Sequence, residues 1–98
     1  MKTLLEGLNK NFDNRVRLGI MSALMVNENV EFNTLKNLLG VTDGNLASHL
    51  KGLEKAGIIC VHKQFIGRKP NTSYTISPDG KRQFNAHINA LEKLLKGP

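Results

Sequence analysis

One cysteine, Cys60, stands among 98 residues. That excludes an internal disulfide framework and suits a reducing compartment, leaving only a bridge between two subunits open. No apolar stretch approaches the roughly twenty residues of a membrane span. The opening Met1-Lys2-Thr3-Leu4-Leu5-Glu6 lacks the hydrophobic core of a signal peptide. The chain is therefore expected in the cytoplasm, without a membrane partner. Internal repeats, low-complexity tracts and linkers are also missing, which predicts a single domain over residues 1–98. Catalytic machinery is wanting too. There is no phosphate-cradling glycine loop and no nucleophile with a base at a usable spacing, so neither an enzyme nor a cofactor is expected.

Positive charge is what the chain does have. Fourteen Lys and Arg against eight Asp and Glu leave a formal +6, a balance that favours a polyanionic partner. A chain this short buries a modest fraction of its surface when it folds alone, so self-association is expected.

Apolar spacing organises the rest. From Asn14 to Met25, Val16, Ile20 and Leu24 share one helical face while Leu18, Met21 and Met25 share the opposite one. A helix apolar on both sides must be covered on both. Val30, Glu31 and Phe32 predict a very short strand, and Asn33 a cap for a short helix carrying Leu35, Leu38 and Leu39. Gly40 suits a left-handed C-terminal cap, and Thr42 suits the N-cap of a helix to Ala56 with the stripe Leu46, Leu50, Leu53. Ile58 to Ile66 reads as a strand, Gly67 to Thr72 as a basic turn or loop, and Tyr74 to Ile76 as the returning strand. Ser77, Pro78 and Asp79 then open a final helix to about Leu95.

The order helix, helix, tight turn, helix, hairpin, helix resembles the winged helix-turn-helix regulators related to the MarR and ArsR families. The resemblance is carried by Phe32 to Gly57 (FNTLKNLLGVTDGNLASHLKGLEKAG) and Gly67 to Gly80 (GRKPNTSYTISPDG), and with the first helix it covers roughly residues 12 to 85. It implies a mostly α, α+β fold: a helix-turn-helix over about 33–56, a wing over about 58–76 and a C-terminal dimerisation helix over about 78–95. It also implies a dimeric transcription regulator on double-stranded DNA, either repressor or activator. Its recognition helix would enter the major groove, with the wing on phosphates or in the minor groove.

The residues support that reading independently. Opposite the leucine stripe lie Gly44, Ser48, Lys51, Gly52 and Lys55, flanked by Asn45 and His49. An exposed glycine inside a helix costs about 1 kcal/mol relative to alanine. Close approach to a groove floor would account for two of them; neutral surface drift is the bland alternative. Asn45 and Ser48, with Thr42 and Asp43, are the candidate base-edge contacts. Lys51 and Lys55 suit phosphates, as do Arg68, Lys69 and Lys63 of the wing. No arginine lies on the recognition helix, so direct readout is expected to be modest, with DNA shape contributing. Lys81 and Arg82 are expected to face solvent.

Phe84, Ile88, Leu91 and Leu95 recur at helical spacing, and Leu4, Leu5, Leu8 and Phe12 cover a similar stripe. With Leu18 and Met21 of the first helix they form either a two-fold seam or a closure within one chain. ArsR-like relatives often sense metals, but Cys60, His49, His62 and His87 show no ligand spacing, and no metal site is expected. No effector is assigned. The rival reading is the same fold used as a protein-interaction module without DNA.

Overall fold

A polar side chain placed to accept unpaired backbone N–H groups opens three of the four α-helices among the described residues. The computed structural model describes residue 3 and residues 5–97. Asn14 Oδ1 accepts from the amides of Val16 and Arg17 at 2.8 and 3.2 Å and starts α1 (Arg15–Val26). Thr42 Oγ1 accepts from the Asn45 amide at 3.2 Å and starts α3 (Asp43–Lys55). Ser77 accepts from the Gly80 amide at 2.9 Å and starts α4 (Pro78–Lys96). Between α1 and α3 lie β1 (Val30–Glu31) and α2 (Phe32–Leu39); β2 (Ile59–Ile66) and β3 (Lys69–Ile76) separate α3 from α4.

The start of α2 departs from expectation. Asn33 is not its cap: the cap position is Glu31, which makes no side-chain capping bond. Phe32 belongs to the helix because β1 needs only Val30 and Glu31 to pair with Tyr74 and Ser73. The turn between α2 and α3 is as read, with Gly40 left-handed at φ 62°, ψ 40°.

The wing also departs from expectation, being longer and tighter. Lys69 to Thr72 are strand rather than loop, and the register Ile66↔Lys69 leaves only Gly67 and Arg68 in the turn. Gly67 takes φ 65° and Arg68 a negative φ, the pattern of a two-residue hairpin with glycine first. Such a turn makes Ile66 and Lys69 the closing hydrogen-bonded pair, so Phe65 and Pro70 form the next, non-bonded pair. The missing N–H of Pro70 therefore falls on the side away from β2. There β1, which pairs only Ser73 and Tyr74, does not reach, and a proline is tolerated. The sheet order is β1-β3-β2, all antiparallel.

Both sides of the sequence-predicted first helix are covered, and largely by its own chain. Val16, Ile20, Met21 and Leu24 are buried with Leu35, Leu46, Leu50, Leu53, Ile58, Ile59 and Tyr74 in one core. Burial, and after it the negative charge of Glu54, raises the Tyr74 phenol above its ordinary 10.0, so the ring is neutral there in the physiological range. Phe12, in the 3-10 turn Lys10–Phe12, sits edge-on to Phe84 with ring centroids 5.2 Å apart and to His87 at 5.3 Å. His87 Nδ1 accepts from the Asn9 amide at 2.9 Å, and Asn9 Nδ2 donates to Gln83 Oε1 at 2.9 Å. The N-terminal segment is thereby tied to α4 of the same chain.

That closure corrects part of the expected seam. Phe12, Met21 and Phe84 are core residues with almost no surface to offer a partner, because Phe12 fills the space between α1 and α4. Leu18 is half-buried against the same core. What remains outward is Leu5 at 65 % exposure, Ile88 at 39 % and Leu95 at 81 %, with Leu8 and Leu91 half-buried. Leu4 lies outside the described residues.

The last helix is locked to the sheet at one close approach. The Ser77 hydroxyl shares its proton between the carbonyls of Gly57 and Ile58 at 2.7 and 3.0 Å. The Ser77 amide donates to the Ile58 carbonyl at 2.9 Å. A Cβ built on Gly80 would collide with that same carbonyl. Since the obstacle is backbone, it cannot swing aside. Gly80→Ala is expected to destabilise the protein by at least about 2 kcal/mol, a fall in melting temperature of roughly 8 °C or more; an unchanged thermal melt would contradict the packing described.

Candidate nucleic-acid interface

One face of α3 is used up by the core, and the opposite one is bare. Leu46, Leu50 and Leu53 are buried, while Gly44, Asn45, Ser48, Lys51 and Lys55 are all exposed. No large apolar side chain interrupts that outward face. The space around Gly44 is open, with nothing within 4 Å of a Cβ built there.

The residues at the start of α3 are already engaged. Besides the capping role of Thr42, the Asp43 carboxylate pairs with Lys36 of α2 at 2.8 Å, which offsets a negative charge that would otherwise repel phosphate. Asp43 is thus held across the turn, and Thr42, Asp43, Asn45 and Ser48 all stay exposed at the start of the helix.

His49 lies on the flank as read, whereas Gly52, read on the outward face, lies on that flank too. Both are half-buried on one flank, and the reason is Arg17, which reaches across from α1. Its Nε donates to His49 Nδ1 at 3.0 Å, and its guanidinium lies where a Gly52 Cβ would be. Arg17 thus occupies the space that the absent Cβ of Gly52 leaves open. Sequence reasoning missed Arg17; the only signal was an unexplained glycine on the same flank as a histidine.

The hairpin projects its cations into solvent. Lys63, Arg68 and Lys69 are exposed, and none takes part in an ion pair among the described residues, where the pairs are Lys36–Asp43, Arg82–Asp79 and Lys96–Glu92. Two apolar side chains stand beside them, Phe65 at 74 % exposure and Ile66 at 56 %. Their strand was read to Ile66, but their exposure was not anticipated, because it depends on nothing packing over the outer end of the hairpin. Lys81 and Arg82 are exposed as read, with Arg82 paired to Asp79 at 3.2 Å.

The remaining candidate ligands are dispersed. Cys60 and His62 share one face of β2, but His62 Nε2 is 2.9 Å from Thr75 Oγ1 and His87 is buried against Phe12. No group of three or more His, Cys, Asp or Glu side chains comes together among the described residues. Among them, too, no helix is long and apolar enough to cross a membrane.

Residues 16–95 match the model of a winged helix DNA-binding domain. The chain belongs to that winged-helix DNA-binding family. An uncharacterised protein of Methanocaldococcus jannaschii is 38 % identical over 87 residues, spanning 89 % of this chain and 95 % of the relative. A transcriptional regulator homologue of Pyrococcus horikoshii superposes with a TM-score of 0.85 at 29 % identity, covering 96 % of this chain and 91 % of that one. A MarR-family regulator of Enterococcus faecalis shares the fold with a TM-score of 0.75 at 22 % identity, over 91 % and 76 % of the two chains. This winged-helix protein is accordingly a DNA-binding regulator and not an enzyme.

Because Gly44 has open space and an ordinary helical backbone, Gly44→Ala is expected to raise stability by up to about 1 kcal/mol. Thermal unfolding of the free protein measures this, and a lowered melt would mean that the outward face is covered by something within the chain.

Proposed function

We propose that α3 enters the major groove of double-stranded DNA and that the protein acts as a dimeric transcription regulator. The observation that carries the reading is the outward face of α3, small and polar at Gly44, Asn45 and Ser48 and basic at Lys51 and Lys55. Asn45 and Ser48 meet base edges, where an amide and a hydroxyl match donor and acceptor patterns. Lys51 and Lys55 meet phosphates. The wing, through Arg68 and Lys69 with Lys63 behind them, reaches phosphates or the adjoining minor groove. Thr42 and Asp43 hold the end of α3 in place and, being exposed, join Asn45 and Ser48 at the base edges.

Dimerisation runs through α4 and the N-terminal segment. The molecule measures 56 × 25 × 21 Å with a radius of gyration of 14.8 Å, against about 12.6 Å for a compact chain of this length. Its C-terminal helix carries Ile88, Leu91 and Leu95 on a surface that Leu5 and Leu8 extend. Packing two copies there sets a pair of recognition helices about 34 Å apart, one turn of DNA.

The alternative, a protein-interaction module, has one observation in its favour, the exposed Phe65 and Ile66 of the wing. Two side chains set among Lys63, Arg68 and Lys69 make a small apolar patch in a cationic surround, which fits DNA better than a protein core.

Binding to the gene's upstream duplex and to random duplex across a salt series tests the reading. The upstream DNA is expected to bind at least about a hundredfold tighter. Arg68→Ala with Lys69→Ala is expected to weaken both duplexes and reduce the salt slope by about 1.8. Absence of binding to either duplex at low salt would move the function to the protein module. In sedimentation, the wild type is expected as two subunits and Ile88→Glu with Leu95→Glu as one; a wild-type mass of one subunit at micromolar concentration would remove the dimer.

A further inference from the structure

The guanidinium of Arg17 is a cation set against the recognition helix with no carboxylate partner among the described residues. We infer that it forms a separate anion site, built by α1 on the flank of α3, which binds a backbone phosphate of the DNA. The inference rests on the reading that α3 enters a groove.

Three observations carry it. First, Gly52 stands inside a helix, where glycine is less favourable than alanine by about 1 kcal/mol, and its missing Cβ is the space that Arg17 occupies. The sequence thus gives up helix stability at a place where doing so makes room for an arginine against the helix. Secondly, Arg17 is positioned as well as seated. An arginine nitrogen only donates, so His49 Nδ1 must accept from Arg17 Nε, which puts the imidazole proton on Nε2. His49 is the positioning residue for the guanidinium and turns a second donor, Nε2–H, away from it. Thirdly, the charge is not compensated within the fold. Arg17 is always protonated, and no ion pair among the described residues includes it.

The place on the helix decides the ligand. Asn45, His49 and Gly52 lie between the buried leucine stripe and the outward face of Gly44, Ser48, Lys51 and Lys55. A helix seated in the major groove turns its outward face to the base edges and its flank to the sugar-phosphate backbone that borders the groove. A guanidinium on that flank meets a phosphate, whose oxygens its planar fork matches. It also means that the arginine missing from α3 is delivered to α3 by another helix.

The experiment compares wild type, Arg17→Ala, Arg17→Lys, Gly52→Ala and His49→Ala against upstream and random duplex over a salt series, with a thermal melt of each free protein. Arg17→Ala is expected to weaken both duplexes by about tenfold and to reduce the salt slope by about 0.9, one phosphate's worth. Arg17→Lys keeps the slope while recovering only part of the affinity. His49→Ala keeps the slope and loses affinity, as befits positioning rather than charge. Gly52→Ala displaces the guanidinium and weakens binding of both duplexes alike, without a loss of melting temperature large enough to unfold the protein at the assay temperature. An Arg17→Ala protein whose affinity and slope equal the wild type's overturns the site, and does so without touching the DNA reading if Arg68→Ala with Lys69→Ala still weakens binding. Wild-type protein that binds neither duplex removes the reading and this site with it.

Discussion

Burial of Leu46, Leu50 and Leu53 is the constraint on which the rest of the molecule depends. Each fully buried leucine contributes about 1.5–3 kcal/mol, enough to fix the rotation of α3 about its own axis against α1 and the sheet. With that rotation set, Gly44, Ser48, Lys51 and Lys55 have no choice but to face outward. The short turn with Gly40 at φ 62° sets the angle at which α3 leaves α2. The Lys36–Asp43 pair bridges the same corner. The outward face of α3 is therefore set by core packing on the opposite side of the helix.

The same economy of surface shows at the other end. Phe12, Phe84 and His87 close the N-terminal segment over α4 within a single chain, which removes the inner half of the apolar stripe from any partner. The outer half, from Ile88 to Leu95, runs beyond that closure and stays open. A helix of 19 residues spans about 28 Å, longer than the core it packs on, and the excess is apolar. The buried and the open parts of α4 thus draw on successive segments of one stripe.

Much of this was legible in the residues. Caps at Thr42 and Ser77, the left-handed Gly40 and the leucine stripe are local signals, and each marks its element in the structure. Signals that depend on tertiary neighbours were not legible. Asn33 looks like a cap, but the two-residue β1 and its pairing to β3 start the helix earlier. Pro70 looks like a loop residue until the hairpin register shows its missing N–H on the free side of β3. Phe84 and Ile88 look alike in the stripe, and only the position of Phe12 makes one core and the other surface. The flank of α3 is the clearest instance: its glycine and histidine are visible in the sequence, but the arginine that explains both lies 32 positions from His49.

The most direct test of the central claim is amide chemical-shift mapping of the labelled protein titrated with its upstream duplex. If α3 sits in the groove, the perturbed amides run through Asn45, Ser48, His49 and Gly52 and reappear at Gly67 and Arg68, while those of Leu91 and Leu95 do not move with DNA at constant dimer population. Perturbation confined to the hairpin around Phe65 and Ile66, with α3 silent, would contradict the account.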